Sequence, residues 1–382
     1  MSSFYECLVV KMYGRVKPRF TREPGFSNDA MEAILTFTAT VPSVANTRDA
    51  SGIRWGIQSM NDISGKVLVT GGAGFIGSHV CEALLAEGYE VVVLDDFNDF
   101  YDPAIKRRNL ESMRGRLKVV EGDLRDRALV ERLFAESGFT SIIHLAARAG
   151  VRPSIADPRL YFSTNVDGTL NLLEACRANG VRHFVFASSS SIYGVNPKIP
   201  FAERDLIERT ISPYAATKLA GEQICSNYSY LFGIHCVCLR FFTVYGPRQR
   251  PDLAIAKFTD SILEGKGIDR YGDGSTARDY TYISDIVSGV MAAFRYRDSD
   301  FEIFNLGGSA TTTLSELIEI IEGAVGKTAT IRQLPDQPGD VPRTYADVSK
   351  SAAVLGYKPQ VSIREGIKRY VEWRRNLGQK TP

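Results

Sequence analysis

The sequence contains no run of about 18 uninterrupted apolar residues, the least a helix needs to cross a bilayer. Its nearest approach, Met31 to Ala45, is broken by Glu32, Pro42, three threonines and a serine. The N-terminus also lacks the compact charged-then-apolar layout of a signal peptide, so the chain is read as cytoplasmic with no membrane partner. Paired cysteines are missing too. Cys7, Cys81, Cys176, Cys225, Cys236 and Cys238 show no Cys-x-x-Cys spacing, which argues against a disulfide framework and points to buried free thiols in a reducing compartment. No metal site is expected. Nor is there an excess of one charge: the net charge is +2, and residues 60–382 carry equal numbers of acidic and basic side chains. Such a body has no broad basic surface for nucleic acid. There is no internal repeat and no low-complexity tract.

What remains is a chain of 382 residues, 44% hydrophobic, long enough for one large core or two moderate ones. Residues 1–59 show neither helical nor strand periodicity and precede the strand that opens the patterned region. Residues 1–63 are therefore read as an N-terminal extension of uncertain order that contributes little to the fold. Met60, six residues before Lys66, is read as an alternative start. Abundant fragments from before Met60 in a peptide map of native protein would contradict that.

The patterned region opens with Lys66-Val-Leu-Val-Thr70-Gly71-Gly72-Ala73-Gly74-Phe75-Ile76-Gly77. Val67 to Val69 form the continuous apolar run of a strand buried on both faces, and Ile76, Val80 and Leu84 recur as on one helix face. Between them Gly71 allows a tight turn, Gly74 lets backbone approach a pyrophosphate, and Gly77 lets the helix pack closely on the strand. Free N–H groups at that helix start would face phosphates. The next apolar run, Glu90-Val-Val-Val-Leu94, ends in Asp95, spaced from the glycines so that its carboxylate can accept from an adenine ribose. A carboxylate there repels a 2′-phosphate, which favours NAD over NADP.

Beyond this unit, apolar runs at 118–120, 141–145, 183–187 and 235–239 alternate with helical stretches at 127–137, 167–179 and 214–231. That alternation predicts an α/β fold with a doubly wound parallel (Rossmann) sheet, ligands lying at the carboxyl ends of its strands. Residues 64–240 are assigned to this NAD-binding domain. After Phe241 the pattern loosens into loops and short elements at 247–251, 271–278 and 335–342. Residues 241–382 are read as mainly a smaller substrate lobe, interleaved because 301–306 looks like a strand returning to the large sheet.

Chemistry enters with Ser212-Pro213-Tyr214-Ala-Ala-Thr217-Lys218, a helix start that Ser212 can cap. Tyr214 and Lys218 share a face at i,i+4, where an ammonium favours phenolate and moves the phenol toward neutrality. Such a tyrosine can act as general base at a sugar hydroxyl. An ordinary helix with a packed Tyr and a surface Lys has the same spacing. Upstream, His183-Phe-Val-Phe-Ala187 runs into Ser188-Ser189-Ser190-Ser191-Ile192-Tyr193-Gly194 at an expected strand end. A serine there can bridge a substrate oxygen to the Tyr214 phenol; a simple polar turn is the plainer reading.

The Thr70–Gly77 glycine loop, the serine turn and Tyr214-x-x-x-Lys218 together resemble the extended short-chain dehydrogenase/reductase superfamily, over nearly all of residues 65–375. Four further stretches resemble its UDP-glucuronate 4-epimerases: Leu94-Asp-Asp-Phe-Asn-Asp-Phe-Tyr-Asp-Pro103, Phe241-Phe-Thr-Val-Tyr-Gly-Pro-Arg-Gln-Arg-Pro-Asp252, Tyr271-Gly-Asp-Gly-Ser-Thr-Ala-Arg-Asp-Tyr280 and Asp336-Gln-Pro-Gly-Asp340. The resemblance implies an isomerase with Ser189, Tyr214 and Lys218 as its catalytic trio. It implies NAD contacts from Gly71, Gly74, Phe75, Ile76, Gly77, Asp95, Asp123, Leu124, Leu145, Ala146, Ala147, Asn165, Tyr214 and Lys218. For a UDP-sugar it implies Arg278 and Asp340 at the nucleotide, with Ser190, Ser191, Thr243 and Arg250 toward the sugar carboxylate. It further implies a homodimer through helices at 161–178 and 214–231. Two positions depart from the pattern: Arg148 stands where relatives often carry glutamine, and Pro153 where an aromatic is common.

The implied reaction removes the C4 hydroxyl proton and a hydride, turns the 4-keto sugar over, and returns the hydride to the opposite face. Related dehydratases carry an Asp–Glu pair, and decarboxylases a Glu, in the turn before Tyr193-Gly194, where this chain has Ser190-Ser191. A UDP-glucose or UDP-N-acetylglucosamine 4-epimerase, a UDP-glucuronate decarboxylase and a non-catalytic NAD sensor or scaffold are the competing readings. Thr243 in place of an asparagine, with the added arginines, favours an anionic sugar, and retention of both Tyr214 and Lys218 disfavours a sensor.

Overall fold

The computed structural model describes residues 65–335 and 341–379. The N-terminal extension, with Cys7 and the reading of Met60 as a start, lies outside the described residues, as does Asp340. Seven strands form one parallel sheet: β1 (Lys66–Thr70), β2 (Glu90–Asp95), β3 (Lys118–Glu121), β4 (Ser141–His144), β5 (His183–Ser189), β6 (His235–Phe241) and β7 (Phe301–Leu306). Their spatial order is β7-β6-β5-β4-β1-β2-β3. Strand order therefore reverses at β1, which pairs in parallel with β2 on one side and β4 on the other. A crevice opens at such a reversal, beyond the carboxyl ends of the strands.

The apolar runs become central strands because both faces of the sheet are covered. Val67, Val69, Val91, Val93, Ile143, Val185 and Val237 face α1 (Phe75–Ala86), which contributes Val80, Cys81 and Leu84. Leu68, Val92, Ile142, Phe184, Phe186, Cys236 and Cys238 point the other way, toward α2 (Arg127–Ser137), α3 (Gly168–Asn179) and α4 (Pro213–Phe232). Each fully buried Val or Leu contributes roughly 1.5–3 kcal/mol, so the sheet is a rigid base for the loops at its edge. The five described cysteines are free and buried in these layers.

Helix ends follow local sequence. Asp126 caps α2 and Gly138 ends it in the left-handed conformation. Ser212 caps α4 through Ala215 N–H, Pro213 occupies its first turn, and Gly233 closes it. By contrast α1 begins at Gly74 with no capping side chain.

After β6 the chain builds a second cluster from helices Ala254–Leu263, Leu314–Val325 and Ile363–Gln379, packed around Tyr245, Phe258, Ile318, Ile321, Ile367 and Tyr370. Midway it returns to the sheet through α5 (Ile283–Arg295), which packs on the α1 face, and β7, whose Phe301 pairs with Cys236 of β6. The stretch 271–278, read among loops and short elements, carries short strands at both ends: Ile268–Tyr271 and Ala277–Arg278. Among the described residues no helix is long and apolar enough to cross a membrane.

Candidate active site

A cavity of about 490 Å³ opens at the carboxyl ends of β1, β2, β4, β5 and β6 and is lined as well by Arg250, Arg278, Val341 and Thr344. Its size and placement suit a small-molecule site.

At one end lies the glycine turn. Gly71 adopts φ +69°, and its N–H is spent on Leu94 O at 2.8 Å. A Cβ on Gly77 would sit 2.2 Å from Gly71 O, so only glycine allows this approach of helix to turn. Because no side chain caps α1, its first N–H groups are available to an anion. Asp95 is buried at the adjacent strand end, accepting from Ala73 N at 3.1 Å and Phe97 N at 3.0 Å. Burial pushes its carboxyl up, opposed by the Lys106 ammonium 3.7 Å away. Asp123, Leu124, Leu145, Ala146 and Ala147 continue the wall. An uncapped helix start, a glycine cradle and a carboxylate one strand over are what a dinucleotide's pyrophosphate and ribose require, so these residues fit NAD.

The loop after β4 is held from behind. His144 bridges Thr70 Oγ1 at 2.7 Å and Thr169 Oγ1 at 2.9 Å, and complete burial pushes its imidazole down to about 3, so it is neutral. Asn165 is placed differently from its expected position against the cofactor. It stands behind the wall, its Oδ1 accepting from Arg148 N at 2.8 Å and its Nδ2 donating to Arg148 O and Thr217 Oγ1, both at 3.0 Å. All its polar atoms are engaged in fixing the loop.

Tyr214 and Lys218 share one face of α4, and Ser189 ends β5 beside them. Ser189 Oγ accepts from Ser191 N at 3.2 Å and from Ser191 Oγ at 2.9 Å. The Tyr214 phenol is its neighbour, and the Ser189 hydroxyl favours the charged form of that phenol. Lys218 reaches the Tyr214 ring as the helix spacing suggests, but it is shared with a second partner. Its Nζ donates to Ala187 O at 2.7 Å and lies 5.9 Å from the centre of the Tyr214 ring. Burial pushes the phenol above its ordinary value, and what opposes burial is the Ser189 bond and then the Arg250 guanidinium. The expected shift toward neutrality is not found: the phenol is pushed up, and the Lys218 ammonium, bonded to Ala187 O, is not among the groups that oppose burial. Burial also lowers Lys218 itself, to about 8.

Ser190, Ser191 and Thr243 line the cavity with Arg250. Arg278 joins them, its Nη1 donating to Ala277 O at 2.9 Å. The next residue, Asp279, is fully buried and accepts from Gly308 N, from Ser309 N and Ala346 N at 3.1 Å each, and from Thr281 Oγ1 at 3.2 Å. It pins the strap that carries Thr344 over the cavity. Asp279→Ala leaves several buried N–H groups unpaired and is expected to destabilise the fold by about 2 kcal/mol, read as a lower urea midpoint at unchanged slope.

Several wall residues were not singled out from sequence. Phe100 and Tyr101 reach the cavity from the segment after β2, inside a stretch whose only signal is its resemblance, and Lys106 reaches it from just beyond that stretch. Arg148, noted only as a departure, lines the wall and pairs with Asp96 at 3.7 Å. Behind the serine turn, Arg240 forms a buried two-pronged pair with Glu222 at 2.9 and 2.8 Å, and Ser188 and Tyr193 bond into it. Residues from two strands, a turn and a helix meet in that network, and no local pattern announces it.

The sequence matches the GDP-mannose 4,6-dehydratase family over residues 68–370. It is 43% identical over 326 residues to UDP-glucuronate 4-epimerase 4 of Arabidopsis thaliana, covering 80% of this chain and 74% of that one. Its fold resembles the UDP-glucuronic acid 4-epimerase of Bacillus cereus crystallised with UDP-glucuronic acid and NAD, with TM-score 0.76 and 38% identity over 82% of this chain and 99% of that one. A Thermus thermophilus UDP-glucose 4-epimerase in complex with NAD is similar as well, with TM-score 0.75 and 39% identity over 81% and 99% of the respective chains.

Proposed function

This chain belongs to the GDP-mannose 4,6-dehydratase family, and from that premise we propose that it is an NAD-dependent UDP-glucuronate 4-epimerase. It is an isomerase that inverts C4 of a UDP-hexuronic acid. The observation that carries the choice of substrate is the Arg250 guanidinium, which acts electrostatically on the Tyr214 phenol and shares a cavity with Ser190, Ser191 and Thr243. Among the described residues the carboxylates lining that cavity are Asp95 and Asp96 at the end of β2 and Asp123 after β3, all at the dinucleotide end. A cation with neutral hydroxyls suits an anionic sugar.

In this reading Tyr214 acts as the phenolate, which the Ser189 hydroxyl favours and the Lys218 ammonium keeps positive charge beside, and it becomes the neutral phenol when it takes the C4 hydroxyl proton. NAD held by Gly71, Gly74, Gly77 and Asp95 would supply the acceptor for the hydride at C4 and the donor for its return to the opposite face. Arg278 holds the diphosphate as an anchor while the 4-keto sugar turns over, binding energy at the remote nucleotide keeping the intermediate from escaping. The proton on Tyr214 then returns to the C4 oxygen. Dehydration and decarboxylation need an acid or base where Ser190 and Ser191 stand, and no carboxylate is supplied there.

Two coarser features complete the reading. Exposed Phe162 and Leu170 on one helical segment, and Tyr230 and Leu231 on α4, support a homodimer through 161–178 and 214–231. Free buried thiols support a reducing, cytoplasmic setting. Incubation of the purified protein with UDP-glucuronate and no added NAD is expected to yield UDP-galacturonate on separation of the products. A UDP-pentose with released CO₂ would identify a decarboxylase instead.

A further inference from the structure

Arg250 does not enter the cavity as a bare charge. Its Nε donates to Asp252 Oδ1 at 2.9 Å and its Nη2 to Asp252 Oδ2 at 2.8 Å, the two-pronged geometry in which a guanidinium and a carboxylate match best. Phe100 lies against the guanidinium, with 5.3 Å from its central carbon to the ring centre. Burial alone would lower the affinity of Arg250 for its proton; Asp252 first, and then Tyr214 and Tyr101, raise it overall. Asp252 itself does not line the cavity, whereas Arg250 does. The side fork of the guanidinium is therefore taken, and the donors left over on Nη1 and Nη2 are what a ligand can meet.

A reaction in which the sugar turns over sets two demands on this group that conflict. The uronate carboxylate must be recognised, yet it must let go of its partner once per turnover. A buried guanidinium with no counter-ion would hold a carboxylate tightly enough to trap the intermediate in one orientation. We propose that Asp252 is a specificity-determining residue that orients Arg250 and neutralises it, so that the uronate is read by directed hydrogen bonds and released when the keto sugar turns. This rests on the UDP-glucuronate reading above. Asp252 acts through Arg250 and touches no reacting atom.

The test is Asp252→Asn, which keeps the shape and one acceptor but removes the charge. Its Kd for UDP-glucuronate is expected to tighten by about fivefold and its kcat to fall by a similar factor, while the Kd for neutral UDP-glucose stays within about twofold. Asp252→Glu, which restores the charge, is expected to bring the UDP-glucuronate Kd back toward that of the parent, and it serves should the asparagine variant fold poorly. Equal changes for both ligands, weaker binding of UDP-glucuronate by the asparagine variant, or a glutamate variant that tightens like asparagine would each overturn the proposal. If the parent protein fails to convert UDP-glucuronate at all, the substrate reading falls first and this proposal with it. A parent that converts it beside an asparagine variant with unchanged constants sinks only the role of Asp252.

Discussion

Tyr214→Phe is expected to lower kcat for UDP-glucuronate by about 10³-fold, the loss that follows when a positioned acid/base group is removed. Substrate KM and NAD retention are expected to stay within a few-fold. The substitution takes away one oxygen. The ring keeps its edge contact with Tyr161, at 6.3 Å between centres, and Lys218 keeps its bond to Ala187 O. Only Ser189 loses a partner, and a single hydrogen bond of this kind is worth about 1 kcal/mol to stability. A large fall in kcat beside a nearly unchanged unfolding curve would assign the phenol to chemistry. Residual activity within tenfold of the parent would mean that another group takes the C4 proton.

The second large effect is expected at the cofactor cradle. In Gly77→Ala the new methyl would meet Gly71 O at 2.2 Å and Gly72 Cα at 2.7 Å. Neither can yield cheaply, because Gly71 O already accepts from Gly74 N at 3.0 Å and Gly71 N is bonded to Leu94 O. Relief requires α1 to move off β1, which moves its N–H groups away from the phosphates. NAD affinity is expected to fall by about 100-fold or more, with roughly 3 kcal/mol lost from the fold. Gly323→Ala in helix Leu314–Val325 is the control, since its methyl would meet no atom within 4 Å. It is expected to gain about 0.5–1 kcal/mol from helix propensity and to leave NAD binding alone. Fluorescence or absorbance of retained nucleotide in the two variants separates loss of the cradle from any general cost of alanine.

The cradle was legible because it is local. A strand buried on both faces, a turn that needs glycine and a helix that packs against that turn all lie within some twenty consecutive residues, each with its own pattern. The cap on α4 and the shared face of Tyr214 and Lys218 were legible for the same reason, and so was the alternation that builds the sheet. What lies around the phenol was not. Ser189 arrives from a strand end, Arg250 from a loop after β6, and the carbonyl that draws Lys218 away belongs to Ala187. Helix spacing gives the approach of Lys218 to the ring but not the competing acceptor or the burial of the phenol, which pushes it up where the spacing predicts a depression. Asn165 shows the same limit: a buried amide can meet a ligand or fix a loop, and only its partners, Arg148 and Thr217, decide between them. The pairing of Arg250 with Asp252 spans two residues, yet its meaning depends on the cavity that Arg250 faces and Asp252 does not.

The central claim is that one hydride leaves C4 and returns to the same sugar from the other side. UDP-glucuronate carrying deuterium at C4, mixed with substrate that has ordinary hydrogen at C4 and a carbon-13 ring and incubated with the protein without added NAD, tests it most directly. Mass analysis of the UDP-galacturonate is expected to show deuterium retained at C4 of the molecules that began with it. Exchange of that deuterium with solvent, its appearance on the other substrate's ring, or a product lacking the carboxylate would contradict the account.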